Sequence, residues 1–170
     1  MKLKSVSAPF AGLALVLFGF SGSADAFTST ATSTFQVKIK ITDSCIFSTG
    51  AAADLDFGTT GVIASNLDQT STIMVQCTNA LPYEIGLNGG SVAGNIAARQ
   101  MKSVAGGLVN YSLYYDSGRT KNWGDTTLVD RLAATGTGAA VTHTVYGRVP
   151  SQTTPAAGNY ADTVTVTVYY

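Results

Sequence analysis

The chain has 170 residues, enough for one domain with a substantial hydrophobic core. Ten basic and ten acidic side chains give a formal net charge of zero, so charge gives no reason to expect binding to nucleic acid or to an acidic membrane. Only 12% of the residues are charged and 45% are hydrophobic, which excludes a disordered chain and is typical of an all-β extracellular protein.

The first 26 residues have the pattern of a secretory signal peptide. Lys2 and Lys4 precede an apolar run at 11–20, and an A-x-A cleavage site at 24–26 precedes Phe27. The apolar run is too short to span a bilayer comfortably, so a membrane anchor is the less favoured alternative. We therefore expect an exported chain that begins near Phe27.

Residues 35–42 alternate between apolar and polar side chains with a period of two, which predicts a β-strand. One face carries Phe35, Val37, Ile39 and Ile41. Two interpretations stay open from the pattern alone. The segment is either the first strand of the domain's own sandwich or a detachable strand that inserts elsewhere.

Cys45 and Cys77 are the only cysteines. In an exported protein, such a pair predicts a disulfide. It would close a loop of about 30 residues and contribute roughly 3–4 kcal/mol of stability. Two cysteines and one histidine cannot form a four-ligand zinc site without carboxylates.

Further short segments between Gly-rich turns predict strands. They lie at 45–47, 55–58, 72–77, 82–88, 109–116 and 141–149, with a short edge piece at 99–102. No segment carries a convincing apolar stripe of helical period. The sequence therefore predicts an all-β, immunoglobulin-like antiparallel β-sandwich of about seven or eight strands.

Residues 163–170 form the clearest strand pattern of the chain, without Gly or Pro. Val164, Val166, Val168 and Tyr170 share one face, which must pack against a core. No later strand follows that could cover the outer edge, and unpaired edges are adhesive. We therefore expect an earlier strand or a second chain to fill this edge.

Few residues suggest chemistry. His143 is the only histidine and lacks a nucleophile context. Asp54 and Asp56 would share a strand face, but two carboxylates are too few to bind calcium tightly. Trp123 could stack on a sugar, or could plug a loop onto the core. We expect no catalytic residue, no cofactor site and no metal site, and no enzyme activity.

Several motifs follow one another in a distinctive order. They are Leu55-Asp56-Phe57-Gly58, Val75-Gln76-Cys77-Thr78, Tyr111-Ser112-Leu113-Tyr114, Trp123-Gly124-Asp125, Tyr146-Gly147-Arg148-Val149-Pro150 and Gly158-Asn159-Tyr160-Ala161-Asp162-Thr163. This order, with the signal peptide and the alternating strand before Cys45, resembles the spore coat protein U domain family. Members of that family include subunits of archaic (Csu-type) chaperone–usher pili.

The resemblance implies an immunoglobulin-like fold that lacks its final strand. A periplasmic chaperone supplies that strand temporarily, and the N-terminal strand of the next subunit replaces it in the fibre. The implied organisation is a signal peptide (1–26), a donor-strand extension (27–42) and a sandwich domain (43–170). Phe35, Val37, Ile39 and Ile41 would then enter a neighbour's groove, one wall of which is the strand carrying Val164, Val166, Val168 and Tyr170.

The function implied is that of a structural subunit of a bacterial pilus or coat, carried by a chaperone and an outer-membrane usher to the cell surface. It would serve adhesion or biofilm formation. One alternative is an adhesin-like module with a carbohydrate site near Trp123 or the Gly89–Gly94 loop, although a tip subunit usually has an added receptor domain for which the mature chain leaves no room. The other is a secreted monomer whose N-terminal strand fills its own groove.

Overall fold

A computed structural model describes residues 29–170, apart from the side chains of residues 49–51. The predicted signal peptide, residues 1–26, lies outside the described residues. Residues 40–170 form one compact unit, and the chain before residue 40 belongs to a separate unit. The following description of the sheets concerns the compact unit alone.

The described residues contain nine strands, one 3₁₀ turn at Ile96–Ala98 and no α-helix. No helix among them is long and apolar enough to cross a membrane. The strands are β1 (Cys45–Ala52), β2 (Leu67–Cys77), β3 (Pro82–Leu87), β4 (Arg99–Ser103), β5 (Leu108–Tyr114), β6 (Leu132–Thr135), β7 (Ala140–Val149), β8 (Tyr160–Ala161) and β9 (Val166–Tyr169).

All strand pairs are antiparallel and form two sheets. The larger sheet has six strands in the order β1-β2-β7-β5-β4-β8, and the smaller has three in the order β6-β3-β9. The core lies between them because alternate residues of each strand point inward. The inward residues include Ile73 and Val75 of β2, Ile85 and Leu87 of β3, Val109 and Leu113 of β5, and Val145 and Val149 of β7. The predicted immunoglobulin-like antiparallel sandwich is confirmed.

The predicted disulfide between Cys45 and Cys77 is also confirmed. The two residues lie opposite each other in the register of β1 and β2, so the bridge fastens the edge strand β1 to the sheet. Cys77 is 3% exposed and belongs to the core. The bridge therefore crosslinks the fold at a buried point.

Residues 35–42, predicted as a strand, form none, and three predicted strands of the compact unit also differ from the observed ones. Residues 55–58 form no strand, because after Ala53 the chain leaves β2 and finds no other strand to pair with in the described part. The predicted edge piece at 99–102 is β4, which pairs on both sides, with β5 and with β8. The terminal strand is shorter than predicted, and Tyr170 is 63% exposed rather than packed inward.

His143 connects the two sheets. Its Nε2 atom lies 2.9 Å from the hydroxyl of Tyr83, and the rings meet edge to face. Tyr83 belongs to β3 in the smaller sheet, whereas His143 belongs to β7 in the larger sheet. Burial lowers the pKa of His143, because desolvation disfavours the imidazolium form. This arrangement is structural and involves no nucleophile.

We expect the stability of the fold to fall as the pH drops below about 6.5, the ordinary pKa of histidine. The folded-state pKa of His143 is lowered, so its contribution is complete above the unfolded-state pKa and is lost as the pH falls toward the folded-state pKa. Urea unfolding from about pH 8 to about pH 5 measures the slope. The variant His143→Gln should flatten it, whereas Tyr83→Phe, which keeps the histidine, should not.

Removing the disulfide with Cys45→Ser and Cys77→Ser should lower the free energy of unfolding by roughly 3–4 kcal/mol. The bridged cysteines are 32 residues apart in the sequence, and opening this loop raises the entropy of the unfolded chain. Chemical denaturation of the double variant, compared with the parent chain before and after reduction, measures the loss. Equal stability of all three samples would show that the bridge is dispensable.

Candidate functional site

The two sheets leave a gap along one side, although the core residues beneath it are buried. Two adjoining open cavities, of about 440 Å³ and 540 Å³, lie there. Leu55, Phe57, Met101 and Tyr160 line both of them. The cavities therefore form one continuous groove, which we call the inter-sheet groove.

Apolar side chains line the first cavity. Its floor includes Ile73, Leu113 and Val145 of the larger sheet. Val164 and Val166 lie on the side of β9, and Leu55 and Phe57 lie on the side of the segment that follows β1. The second cavity extends this lining and includes Ile63, Leu67, Val109, Val149 and Pro155. The groove therefore offers an occupant a run of apolar side chains, which share the second cavity with polar residues such as Thr59, Thr154 and Asn159.

Both flanks of the groove carry backbone groups that no strand pairs. β9 is hydrogen-bonded to β3 on one side only. On the opposite flank, residues 54–58 belong to no strand. In the described part of the chain, nothing bridges these two edges. An added strand would find hydrogen-bonding partners on either side of it.

The flank at 54–58 lies over the inner face of the larger sheet. Leu55 and Phe57 reach Gly147 of β7 so closely that a Cβ atom there would lie 2.7 Å from a Leu55 methyl carbon and 3.0 Å from the Phe57 ring. The absence of a side chain at Gly147 thus leaves room for Leu55 and Phe57 against β7. The same two residues line the first cavity together with Val164 and Val166.

Asp162 holds the end of the groove where the chain passes from β8 to β9. Its carboxylate accepts hydrogen bonds from the Tyr111 hydroxyl (2.7 Å), the Ser91 amide (2.8 Å), the Val92 amide (3.1 Å) and the Thr163 amide (2.8 Å). Burial alone would raise its pKa, but the hydrogen bonds from Tyr111, Ser91 and Thr163 outweigh that effect, and the pKa is lowered. Asp162 therefore fixes the loop after β3 to the start of β9.

Arg99 is a second anchor at this end, and sequence reasoning missed it. The side chain is 0% exposed and donates hydrogen bonds to the carbonyls of Leu87, Asn88 and Trp123. Burial lowers its pKa. Because Arg99 lies in β4 and Leu87 in β3, the guanidinium ties the larger sheet to the smaller one. An arginine in a short predicted edge strand gave no signal of this role.

The residues predicted to act as a donor strand are exposed. Phe35, Val37, Ile39 and Ile41 are 87%, 86%, 88% and 74% exposed. Residues 29–44 form no strand. On the predicted acceptor side, Val164, Val166 and Val168 are half-buried against the core. Tyr170 does not join them.

The structure rules out Trp123 as a sugar-stacking platform. Trp123 is 0% exposed, and its Nε1 atom donates a hydrogen bond to the Ile85 carbonyl at 2.8 Å. The indole therefore anchors its loop to the core. The loop at 89–94, the other suggested ligand site, is bound to Asp162 through Ser91 and Val92.

Asp54 and Asp56 are exposed on the flank of the groove. One Asp56 oxygen accepts a hydrogen bond from the Gly58 amide. Within residues 29–170, no three potential ligand side chains are grouped closely enough to hold a metal ion.

A family model for the Spore Coat Protein U domain matches residues 31–167. The chain belongs to this family. A curated relative is Protein U of Myxococcus xanthus, which is 32% identical over 179 residues covering 98% of this chain and 97% of the relative. The family resemblance predicted from the order of the motifs is confirmed.

A solved structure with a similar fold is the CsuC–CsuE chaperone–tip adhesion subunit pre-assembly complex, from the archaic chaperone–usher Csu pili of Acinetobacter baumannii. The TM-score is 0.50 at 26% identity, and the match covers 76% of this chain. It covers 40% of the matched chain, so this spore coat protein U domain spans less than half of that chain's length.

Substituting Asp162→Ala should destabilise the fold by roughly 2–3 kcal/mol, because several donors lose a charged acceptor at once. Tyr111→Phe removes a single hydrogen bond and should cost about 1 kcal/mol. Since the folded-state pKa of Asp162 is lowered, its contribution is present above about pH 4 and is lost as the pH falls further. Urea unfolding at neutral and acidic pH measures both effects. Equal losses for the two variants would contradict the role of Asp162 as a shared acceptor.

Proposed function

We propose that the chain is a structural subunit of a bacterial surface fibre or coat that polymerises by donor-strand complementation. In this proposal, residues 35–41 of one copy enter the inter-sheet groove of the next. A single observation carries it. The same chain combines an apolar groove with unpaired flanks and an alternating segment whose apolar residues are 74–88% exposed.

Burial of apolar side chains makes such an exchange favourable. Fully burying a large apolar side chain contributes about 1.5–3 kcal/mol, so Phe35, Val37, Ile39 and Ile41 together contribute roughly 6–12 kcal/mol before ordering costs. An inserted strand would also pair with backbone groups on both flanks of the groove. An assembly of this kind is head-to-tail and need not close, which suits a fibre.

We further propose that a periplasmic chaperone occupies the groove before assembly and that an outer-membrane usher carries the subunit to the cell surface. The similar fold in a chaperone–tip adhesion subunit complex supports a chaperone partner. An uncovered groove gives the physical reason, since bare apolar surface of this kind promotes aggregation. Family and fold are those of structural subunits and give no reason to assign an enzymatic activity.

The alternative functions have less support. The proposed carbohydrate site near Trp123 fails because the tryptophan is buried. A self-complete monomer would bury the same apolar residues in its own groove, and a stable monomer purified without a chaperone would support that alternative against complementation by a second copy.

Deletion of residues 27–42 provides the main test. The intact chain, co-expressed with its chaperone and then released from it, should form polymers that electron microscopy and gel ladders detect. The truncated chain should still bind the chaperone and should form none. Fibres from the truncated chain would show that the donor assignment is wrong.

A finer test keeps the chain length constant. Val37→Asn with Ile39→Asn should abolish polymers, because the amide groups would be buried without partners. The control Gln36→Asn with Thr42→Asn places the same side chains on the opposite face of the segment and should polymerise normally. Equal behaviour of the two variants would contradict insertion of the apolar face.

A further inference from the structure

The polar face of the proposed donor strand carries charge of one sign. Lys38 and Lys40 alternate with Val37, Ile39 and Ile41, two residues apart. Both lysines are exposed. If the apolar side chains enter a groove, these two ammonium groups must lie on the outer surface beside its rim.

One rim of the groove carries charge of the opposite sign in the same spacing. Asp54 and Asp56 alternate with Leu55 and Phe57, which point inward. Both carboxylates are exposed. The rim therefore repeats the in-and-out alternation of the donor, with aspartate where the donor has lysine.

The opposite rim has no comparable charge. Along and just before β9, the residues that alternate with the inward valines are Thr163, Thr165 and Thr167. Arg131, a cation on this side, stacks on the ring of Tyr169 at 3.4 Å and forms ion pairs with Asp125 and Glu84. The exposed carboxylates that line the groove therefore lie on the rim at 54–56.

We propose that Asp54 and Asp56 pair with Lys38 and Lys40 of a second copy's inserted strand, and thereby select the register of the donor. This inference rests on the proposed function. Two lysines and two aspartates with the same two-residue spacing lie opposite one another in either strand direction. A slip by one residue would turn the lysines inward against the apolar groove.

The charge pairs affect the choice of donor strand and its register more than they affect the total binding free energy of the inserted strand. Cross-strand pairs of opposite charge are individually weak, and like charges directly opposite are unfavourable. The apolar side chains hold the strand in the groove, and the charged rim distinguishes the aligned donor from misaligned or foreign ones. Since these groups are exposed, the effect should weaken as salt screens it.

Charge reversal tests the proposed pairing of lysine and aspartate, with full-length chains released from their chaperone. One variant carries Lys38→Asp with Lys40→Asp, and the other carries Asp54→Lys with Asp56→Lys. Each alone places like charges together at every junction, so we expect polymerisation at low salt about tenfold slower than that of the parent chain. Mixing the two restores opposite charges at every junction, so the mixture should recover the parent rate and form alternating copolymers.

The control Lys102→Asp with Lys121→Asp changes the net charge by the same amount as Lys38→Asp with Lys40→Asp, at two exposed lysines outside the groove. It should polymerise at the parent rate. At about 1 M salt, where the Debye length is about 3 Å, the differences between all variants should shrink.

The outcomes separate this inference from the function on which it rests. If the two reversed variants polymerise at the parent rate, or if mixing them gives no recovery, pairing at the rim is wrong. The proposed function survives either result as long as Val37→Asn with Ile39→Asn blocks polymers. If that apolar variant also polymerises normally, donor-strand complementation itself is wrong.

Discussion

The two sheets differ in size, and the rest of the structure depends on this difference. The six-stranded sheet presents a broad apolar inner face, and only three strands lie across from it. Ile73, Leu113 and Val145 therefore form the floor of an open groove as well as parts of the core. Hydrophobic burial scales with the area removed from water, so any apolar segment that closes this side gains stability for the whole sandwich.

Polar anchors fix one end of the groove. Arg99 ties β4 to the end of β3, and Asp162 ties the loop after β3 to the start of β9. A buried charged group stabilises a fold only when hydrogen bonds replace the lost water. Buried Arg99 and half-buried Asp162 both form several, although Nη1 of Arg99 has no partner among the described residues. The two anchors join the sheets at one end, while the disulfide fastens β1 to the larger sheet.

Alternation along the sequence predicted those parts of the fold in which one strand face meets the core. Residues 72–77, 82–88, 109–116 and 141–149 were placed in strands for this reason, and the disulfide followed from an exported pair of cysteines. The same rule could not place residues 55–58, because an inward apolar face does not require a hydrogen-bonded neighbour. It also predicted a strand at 35–42, where the pattern is clear but no partner is present in the described residues.

Sequence patterns did not predict the roles of Arg99 and Asp162, for a different physical reason. Apart from the adjacent Thr163, the hydrogen-bond partners of Arg99 and Asp162 lie 11 to 71 residues away in sequence, and no local periodicity records such contacts. The short strands β6 and β8 were missed because two to four residues are too few to show a period. Trp123 was assigned to a loop correctly, but only its 0% exposure distinguishes a core plug from a binding platform.

The connection before β1 bears on whether a donor strand acts on its own copy. Residues 42–44 are fastened just beyond the end of β2, since Thr78 donates its hydroxyl to the Thr42 carbonyl and its amide to the Ser44 carbonyl. β1 begins directly afterwards, at Cys45. A tight reversal between residues 41 and 45 would make a hairpin with β1 and extend the six-stranded sheet, because a short connection joins neighbouring antiparallel strands. The groove lies instead beside β9 and residues 54–58, so a hairpin of this kind would leave the groove unfilled.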